Sequence, residues 1–208
     1  MPRGFFFDNT RCTGCRTCVL ACKDYHDHGS ELAFRMVLDY EGGGWTHTND
    51  GTLYQDAYAY HISIACNHCN SPVCTQVCPT GAMHKDDLDL VWPDVRKCIG
   101  CGYCTMACPY HAPRIDQELK RSSKCDGCRT RVANEQAPIC VEACPVRALD
   151  FAAAGTLAER YPTAVRSIMP LPPEDATDPN LLILPSPAAE RATDGGGRIA
   201  NRQEAGIA

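Results

Sequence analysis

The sequence predicts an α+β fold of two interleaved modules built around cysteine-rich loops, followed by an extended C-terminal arm. Three features support this prediction. The chain of 208 residues contains 16 cysteines, which fall into four groups of four with none left over. Short strand-like segments flank the groups. The residues after 152 instead carry seven prolines and no pattern typical of a core.

Two of the four groups have the cysteine spacing of bacterial ferredoxins, C-x2-C-x2-C-x3-C. These are groups one and three. Groups two and four keep the ends of the pattern and lengthen its middle gap to four and eleven residues. In chain order the groups are Cys12, Cys15, Cys18 and Cys22; Cys66, Cys69, Cys74 and Cys78; Cys98, Cys101, Cys104 and Cys108; and Cys125, Cys128, Cys140 and Cys144.

This spacing suits iron–sulfur clusters for a physical reason. Three cysteines at close intervals let a tight loop wrap one four-iron cluster, and the fourth, four residues on, directs its thiolate to a neighbouring cluster. The segments that begin at Cys78, Cys108 and Cys144 share the motif C-P-x-x-A, which is an internal repeat. Group one has Lys23 in the place of that proline. Four such units predict two bicluster modules.

Other uses of cysteine fit the pattern less well. Structural zinc sites also use C-x2-C pairs, but they do not need four cysteines within eleven residues, as groups one and three have. A disulfide framework is expected in secreted chains, and the first eight residues lack the apolar stretch of a signal peptide. His68 is either a cluster ligand or a hydrogen-bonding loop residue. The four thiolates already present in its group favour the second role.

The segments between the groups predict the secondary structure. One helix is expected at 156–161. Strands are expected at 4–7 before group one, 57–65 before group two, 87–92 before group three and 148–151 after group four.

The domain organisation follows from these segments. Groups one and four define a module of residues 1–23 and 113–151, and groups two and three define a module of residues 57–112. Residues 24–56 are predicted as an inserted loop or hairpin. Residues 152–208 are predicted as an extended arm that docks on partner subunits, with a disordered tail as the alternative.

Basic residues are concentrated around groups three and four, where residues 94–131 contain eight basic and four acidic side chains. Each oxidised four-iron cluster with four thiolates adds a charge of about −2. Three interpretations of these cations are open. They form a solvated basic face, they tune the potentials of the clusters, or they dock an acidic partner. They are Arg96, Lys97, Arg114, Lys120, Arg121, Lys124, Arg129 and Arg131. The net charge of −5 for the whole chain does not indicate a nucleic-acid partner.

With these motifs the chain resembles the four-cluster iron–sulfur subunits of molybdopterin oxidoreductases, and among them the electron-transfer subunits of the dimethyl sulfoxide reductase type. The resemblance covers residues 1–151 and is weaker in the tail. Formate dehydrogenase relatives often add a C-terminal membrane helix, and no such apolar stretch is seen here. The segments that carry the resemblance are 11–18, 21–25, 66–69, 77–85, 98–101, 106–110, 124–128, 138–140 and 147–151.

The resemblance implies which thiolates share a cluster, pairing group one with group four and group two with group three. Some relatives replace the middle cysteine of group three with tryptophan and hold a three-iron cluster. This chain keeps Cys101, which implies four [4Fe-4S] clusters. The implied ligand sets are Cys12, Cys15, Cys18 and Cys144 for cluster 1; Cys125, Cys128, Cys140 and Cys22 for cluster 2; Cys66, Cys69, Cys74 and Cys108 for cluster 3; and Cys98, Cys101, Cys104 and Cys78 for cluster 4.

The resemblance also implies a role in anaerobic respiration without a catalytic site in this chain. The expected partners are a catalytic subunit with a molybdenum bis-pterin cofactor and an integral membrane anchor that oxidises quinol. The chain would be held peripherally at the membrane by these partners, with no span of its own. The resemblance leaves two locations, the cytoplasmic side or export together with the catalytic subunit. The alternative is a soluble polyferredoxin-like adaptor of a formate dehydrogenase, a polysulfide or tetrathionate reductase, or a hydrogenase.

Overall fold

The computed structural model describes residues 1–192 and 195–206 as a mixed α/β protein with short elements. Its helices are α1 (Thr17–Tyr25), α2 (Val73–Gln76), α3 (Tyr103–Ala107), α4 (Arg129–Ala133), α5 (Ile139–Glu142), α6 (Ala154–Arg160) and α7 (Pro187–Arg191), with a 3₁₀ helix at Glu174–Ala176. Its strands are β1 (Arg3–Asp8), β2 (Met36–Gly42), β3 (Trp45–His47), β4 (Leu53–Gln55), β5 (Tyr58–Ile64), β6 (Met83–Lys85), β7 (Val91–Pro93), β8 (Arg114–Asp116), β9 (Arg121–Ser123), β10 (Leu149–Ala153), β11 (Leu181–Leu184) and β12 (Arg198–Ile199).

Two three-stranded sheets form the main core. In the first, β1 lies between β10, which is antiparallel to it, and β11, which is parallel to it. The Phe5-Phe-Phe7 run of β1 is buried on both faces, which explains why it does not alternate with polar residues. In the second sheet, β2 lies between β5 and β12 and is antiparallel to both. Three two-stranded hairpins, β3–β4, β6–β7 and β8–β9, complete the sheets.

Most of the predicted elements are confirmed. The strands expected at 4–7, 57–65 and 148–151 correspond to β1, β5 and β10, and the expected helix corresponds to α6. The strand expected at 87–92 is shorter, because Asp86 turns the chain there. Its Oδ1 atom accepts hydrogen bonds from the backbone N–H groups of Leu88 and Leu90, both at 3.0 Å, so β7 begins only at Val91.

The predicted insertion at 24–56 is only partly an excursion. Its second half contains the exposed hairpin β3–β4. Its first half contains β2, whose residues Met36, Val37 and Leu38 are buried and which pairs along its whole length with β5. Arg35, directly before β2, is buried as well. This part of the chain therefore belongs to the core.

The described part of the tail contributes to both three-stranded sheets. Strand β11 lies beside β1, and its Leu181 and Ile183 are fully buried. Asn180 donates a hydrogen bond from Nδ2 to the carbonyl of His68 at 2.8 Å. Strand β12 adds to the edge of β2. The tail thus packs on its own chain, and its docking on partner subunits stays a prediction. Nowhere in residues 1–192 or 195–206 does a helix have the length and apolar character needed to cross a membrane.

Candidate iron–sulfur sites

The third cysteine of every group is the second residue of a short helix, namely Cys18 in α1, Cys74 in α2, Cys104 in α3 and Cys140 in α5. The four helices begin in two ways. In the groups with the short gap, the N-cap residue has a left-handed backbone, with φ of 59° at Arg16 and 79° at Gly102. In the groups with the longer gaps, the N-cap residue is a proline, Pro72 or Pro138. Loops of different length therefore present this cysteine at the same helical position.

A small cavity is lined by Cys66, Cys69, Cys74 and Cys108, and we call these residues site 3. Burial, and after it the neighbouring sulfur of Cys66, raises the pKa of the Cys74 thiol to about 12. The four sulfurs are thus collected in a place with little water. Metal that binds there has to displace their protons.

A second small cavity is lined by Cys78, Cys98, Cys101 and Cys104, which we call site 4. Apolar side chains, among them Met83 and Ile115, complete its wall. Unlike the cysteines of site 3, Cys101 is exposed.

The cysteines of groups one and four meet where α1 packs against α5. Cys12 lies near Cys15, Cys18 and Cys144, and we call these four residues site 1. Burial first, and then the sulfurs of Cys18 and Cys144, raises the pKa of Cys12 to about 11. The exposed Cys15 behaves differently, because a hydrogen bond with the Thr17 side chain lowers its pKa.

The last cysteine of group one, Cys22, lies in a different neighbourhood from the other three. Burial, followed by the sulfur of Cys140, raises its pKa to about 12, and Cys128 acts in the same direction. Cys125 is also near Cys22. We call these four residues site 2. All of them are buried.

The four sites follow one another through the protein. Site 1 adjoins site 2, where Cys18 lies near Cys140. Site 2 adjoins site 3, where Cys125 lies near Cys66. Sites 3 and 4 meet where α2 packs against α3, and Cys74 shares an apolar cluster there with Cys104. The exposed cysteines Cys15 and Cys101 belong to the two ends of this row.

Backbone N–H groups are directed at cysteine sulfurs in groups two, three and four. The amides of Ser122 and Ala148 donate to the sulfurs of Cys98 and Cys144, both at 3.3 Å. The amides of Met83 and Gly127 donate to Cys78 and Cys125, both at 3.4 Å. The amide of His68 donates to Cys66 at 3.5 Å. Such donors stabilise negative charge on sulfur, as a metal-bound thiolate requires.

Two buried cations lie among the sites. Arg35 donates from Nη1 to the Ser63 side chain at 3.1 Å, while its Nε and Nη2 atoms have no hydrogen-bond partner among the described residues. These buried donors lie near Cys18, Cys22 and Cys140. Because an unpaired buried donor is costly, they fit a site whose sulfur atoms accept hydrogen bonds.

The second buried cation is Lys124. Burial disfavours its charged form, but the nearby sulfurs of Cys66 and Cys125 outweigh this effect and raise its pKa. Together with the thiols and amides, the two cations make the residues present compatible with anionic iron–sulfur clusters.

His68 takes a hydrogen-bonding position rather than the place of a fifth ligand in its group. Its Nδ1 atom accepts a hydrogen bond from the backbone N–H of Val91 at 2.9 Å. The proton of the neutral ring is therefore on Nε2, which lies 4.0 Å from the Cys125 sulfur.

Arg35 was not predicted as a site residue, because it lies 13 residues from the nearest cysteine in the chain. A signal was available, since one arginine interrupts the apolar segment Phe34-Arg-Met-Val37. A positive charge that is buried directly before a core strand needs an anionic partner. Only the pairing of β2 with β5 reveals that this partner is the set of cysteines near α1 and α5.

Comparisons with known proteins identify iron–sulfur domains in this chain. A family model described as a 4Fe-4S dicluster domain matches residues 57–154. A second model, described as a 4Fe-4S binding domain, matches residues 9–25.

Individual relatives match over almost the whole chain. The chain is 52% identical to the B subunit of anaerobic dimethyl sulfoxide reductase from Haemophilus influenzae over 201 residues, which is 97% of this chain and 98% of the relative. It is 48% identical to the protein of the same description from Escherichia coli K12, with 97% of each protein covered. The thiosulfate reductase electron transfer subunit of Salmonella typhi is 37% identical over 145 residues, 69% of this chain and 72% of that one.

Proposed function

Because the chain belongs to the family of B subunits of anaerobic dimethyl sulfoxide reductase, it is an iron–sulfur electron-transfer subunit, and we propose that it connects a quinol-oxidising membrane anchor to a molybdopterin catalytic subunit. Electrons enter the row of sites at one end and leave it at the other. The observation that carries the proposal is the continuous row of four cysteine sites, in a chain whose relatives over nearly its full length include B subunits of dimethyl sulfoxide reductase.

We propose that each site holds one [4Fe-4S] cluster, with the ligand sets Cys12, Cys15, Cys18 and Cys144; Cys22, Cys125, Cys128 and Cys140; Cys66, Cys69, Cys74 and Cys108; and Cys78, Cys98, Cys101 and Cys104. The proximities of the thiols support these sets. They also support two modules, one formed by residues 57–112 and one by residues 1–23 with 113–151. A cluster supplies a centre that accepts and releases one electron.

The protein's own residues prepare these centres. The backbone amides at the sulfurs and the cations Arg35 and Lys124 offset the negative charge of the clusters. The packing of α1 against α5 and of α2 against α3 keeps neighbouring sites adjacent, so that electrons can pass between them. The four cysteines of site 2, together with Cys66 and Cys74 of site 3, are buried, which keeps water away from the middle of the row.

We propose that the complex reduces a sulfoxide-type acceptor. The two dimethyl sulfoxide reductase subunits named above are 52% and 48% identical over 97% of this chain, whereas the thiosulfate reductase subunit is 37% identical over 69% of it. Because substrate choice is made in the catalytic subunit, the test is reduction of dimethyl sulfoxide by the complex that co-purifies with this chain.

The cofactor content is measured on anaerobically purified protein as iron, acid-labile sulfide and zinc per chain. We expect about 16 iron and 16 sulfide, from four cubane clusters, and coupled electron paramagnetic resonance signals after dithionite reduction. An iron count near 15, with an oxidised three-iron signal, would contradict four complete clusters. Zinc with little iron or sulfide would overturn the electron-transfer proposal.

The partners are tested separately, by affinity purification of the tagged chain from detergent-solubilised membranes. A molybdenum-containing subunit and a polytopic membrane protein should be retained together. Recovery of the chain with a soluble oxidoreductase and no membrane protein would support a cytoplasmic adaptor instead.

A further inference from the structure

A buried ammonium group occupies the junction between sites 2 and 3. Lys124 is only 2% exposed. Its Nζ atom donates to the carbonyl oxygens of Val91 and Cys125, the latter at 2.7 Å, and lies 3.1 Å from the sulfur of Cys66. These contacts use all three of its N–H donors. Within residues 1–192 and 195–206 it forms no ion pair with a carboxylate, so sulfur is the anionic partner of this charge.

The contacts across this junction are reciprocal. Lys124 directly precedes Cys125 of site 2 in the chain, but its ammonium contacts Cys66 of site 3. His68 belongs to the loop of site 3, but its Nε2–H faces Cys125 of site 2. Each loop thus directs a hydrogen-bond donor at a sulfur of the neighbouring site. Of the two donors only Lys124 carries a charge, because the Nδ1 atom of His68 accepts a hydrogen bond and leaves the ring neutral.

We propose that the positive charge of Lys124 raises the reduction potential of the cluster at site 3 and, to a smaller extent, that of the cluster at site 2. The inference rests on the proposed cluster assignments. Reduction changes the charge of a four-thiolate cluster from about −2 to about −3. A fixed cation in a water-poor junction favours the more negative form, since the attraction is weakly screened there. The middle of the row is thereby kept easy to reduce.

The chain contains a matched control for this effect. Lys97 directly precedes Cys98, the first cysteine of group three, just as Lys124 directly precedes Cys125, the first cysteine of group four. Lys97, however, is exposed. Water and ions screen an exposed charge, so sequence position and residue type are matched and burial differs.

The experiment is a redox titration of the complete complex, followed by electron paramagnetic resonance and compared with wild type. The variants are Lys124→Gln, Lys124→Met, Lys124→Arg and Lys97→Gln. In the Gln and Met variants we expect the equilibrium constant for reduction of one cluster to fall at least about tenfold. This lowers its reduction potential by 59 mV for a one-electron couple. A second cluster should shift less, and the other two should stay unchanged. Lys124→Arg keeps the positive charge and should therefore keep most of the wild-type reduction potential. Lys97→Gln should move no potential by as much as the Gln and Met variants of Lys124 do.

The outcomes separate this inference from the cofactor assignment. Four clusters in the wild-type complex with unchanged potentials in Lys124→Gln and Lys124→Met would overturn the role of Lys124 alone. Equal shifts in Lys97→Gln would overturn the argument from burial. If Gln and Met both lose iron while Arg keeps it, Lys124 serves cluster assembly, and the tuning role is wrong. Wild-type protein without clusters would instead count against the proposed function.

Discussion

At the scale of single residues, two glycines in the loop of site 4 show what the backbone requires near a cluster. Gly100 and Gly102 both have a positive φ, of 71° and 79°. A Cβ atom on Gly100 would lie within 3.0 Å of the carbonyl oxygen of Lys120, whereas a Cβ atom on Gly102 would meet no atom within 4 Å. Of these two glycines, only Gly100 combines a left-handed backbone with the close approach of another chain segment, the turn that ends at Lys120 directly before β9.

We predict that Gly100→Ala costs the protein one cluster, because relief of the clash has to move the Cys98–Cys101 loop away from β9. The iron content should fall by about four atoms per chain, the content of one cubane. Gly102→Ala is the matched control. It brings only the strain of a left-handed alanine, about 1–2 kcal/mol, and should keep its iron. Equal iron contents in the two variants would show that the contact with Lys120 is unimportant.

What could be read from the sequence at this scale was the chemistry of the cysteines. Their spacing predicts loops that present thiolates to clusters, since that information is local in the chain. The roles of Arg35 and Lys124 depend on which distant cysteines come near them, and spacing carries no such information. The sequence identified Lys124 as one of eight basic residues but not as the buried one.

At the scale of secondary structure, the C-terminal strand β11 is an integral part of the core. Ile183 is fully buried, and its backbone exchanges two hydrogen bonds with Val165, at 2.7 and 2.8 Å. Its neighbour Leu182 is partly exposed on the opposite face of the sheet. The two residues therefore provide a buried and an exposed probe within one strand.

We predict that Ile183→Ala lowers the free energy of unfolding by roughly 2–4 kcal/mol, through lost burial and the cavity that remains. In anaerobic urea unfolding followed by circular dichroism, this corresponds to a midpoint lower by about 1 M or more. Leu182→Ala should move the midpoint by less than half as much. A similar effect of both substitutions would mean that β11 does not pack on β1 in solution.

The tail shows why elements with long-range partners are hard to predict. Strand β11 has only four residues and follows several prolines, so the local sequence favours an irregular segment. Strand β11 is buried because it pairs with β1, which lies about 175 residues earlier in the chain. It occupies the edge of β1 that β10 leaves unpaired. The same applies to β2, whose surroundings in sequence indicate a loop but whose register with β5 makes it a core strand.

At the scale of the whole molecule, burial of the cysteines changes along the row of sites. The end sites contain the exposed Cys15 and Cys101, whereas all four cysteines of site 2 are buried. Solvent and oxygen therefore reach the ends of the row more easily than its middle. In the proposed complex, the surfaces around the two ends are where electrons enter and leave.

We predict that, in the isolated chain, the clusters at sites 1 and 4 are lost before those at sites 2 and 3 during exposure to air. Electron paramagnetic resonance of samples taken at intervals and then reduced should show two signals that decay early and two that persist, relative to a sample kept anaerobic. Simultaneous decay of all signals would mean that oxidation follows global opening of the chain rather than local exposure.

The position of β1 in the centre of its sheet has a consequence for how the protein is made. Both neighbours of β1 come from residues 149–184, and under the proposed ligand sets site 1 is completed only by Cys144. At a synthesis rate of about 5–20 residues per second, Cys12, Cys15 and Cys18 leave the ribosome roughly 7–26 s before their fourth partner. The last cysteine of sites 3 and 4 is Cys108, so their ligand sets are complete much earlier in translation. Iron delivery to the nascent chain can therefore begin in the middle of the sequence, and the first cysteines to be translated are among the last to receive metal.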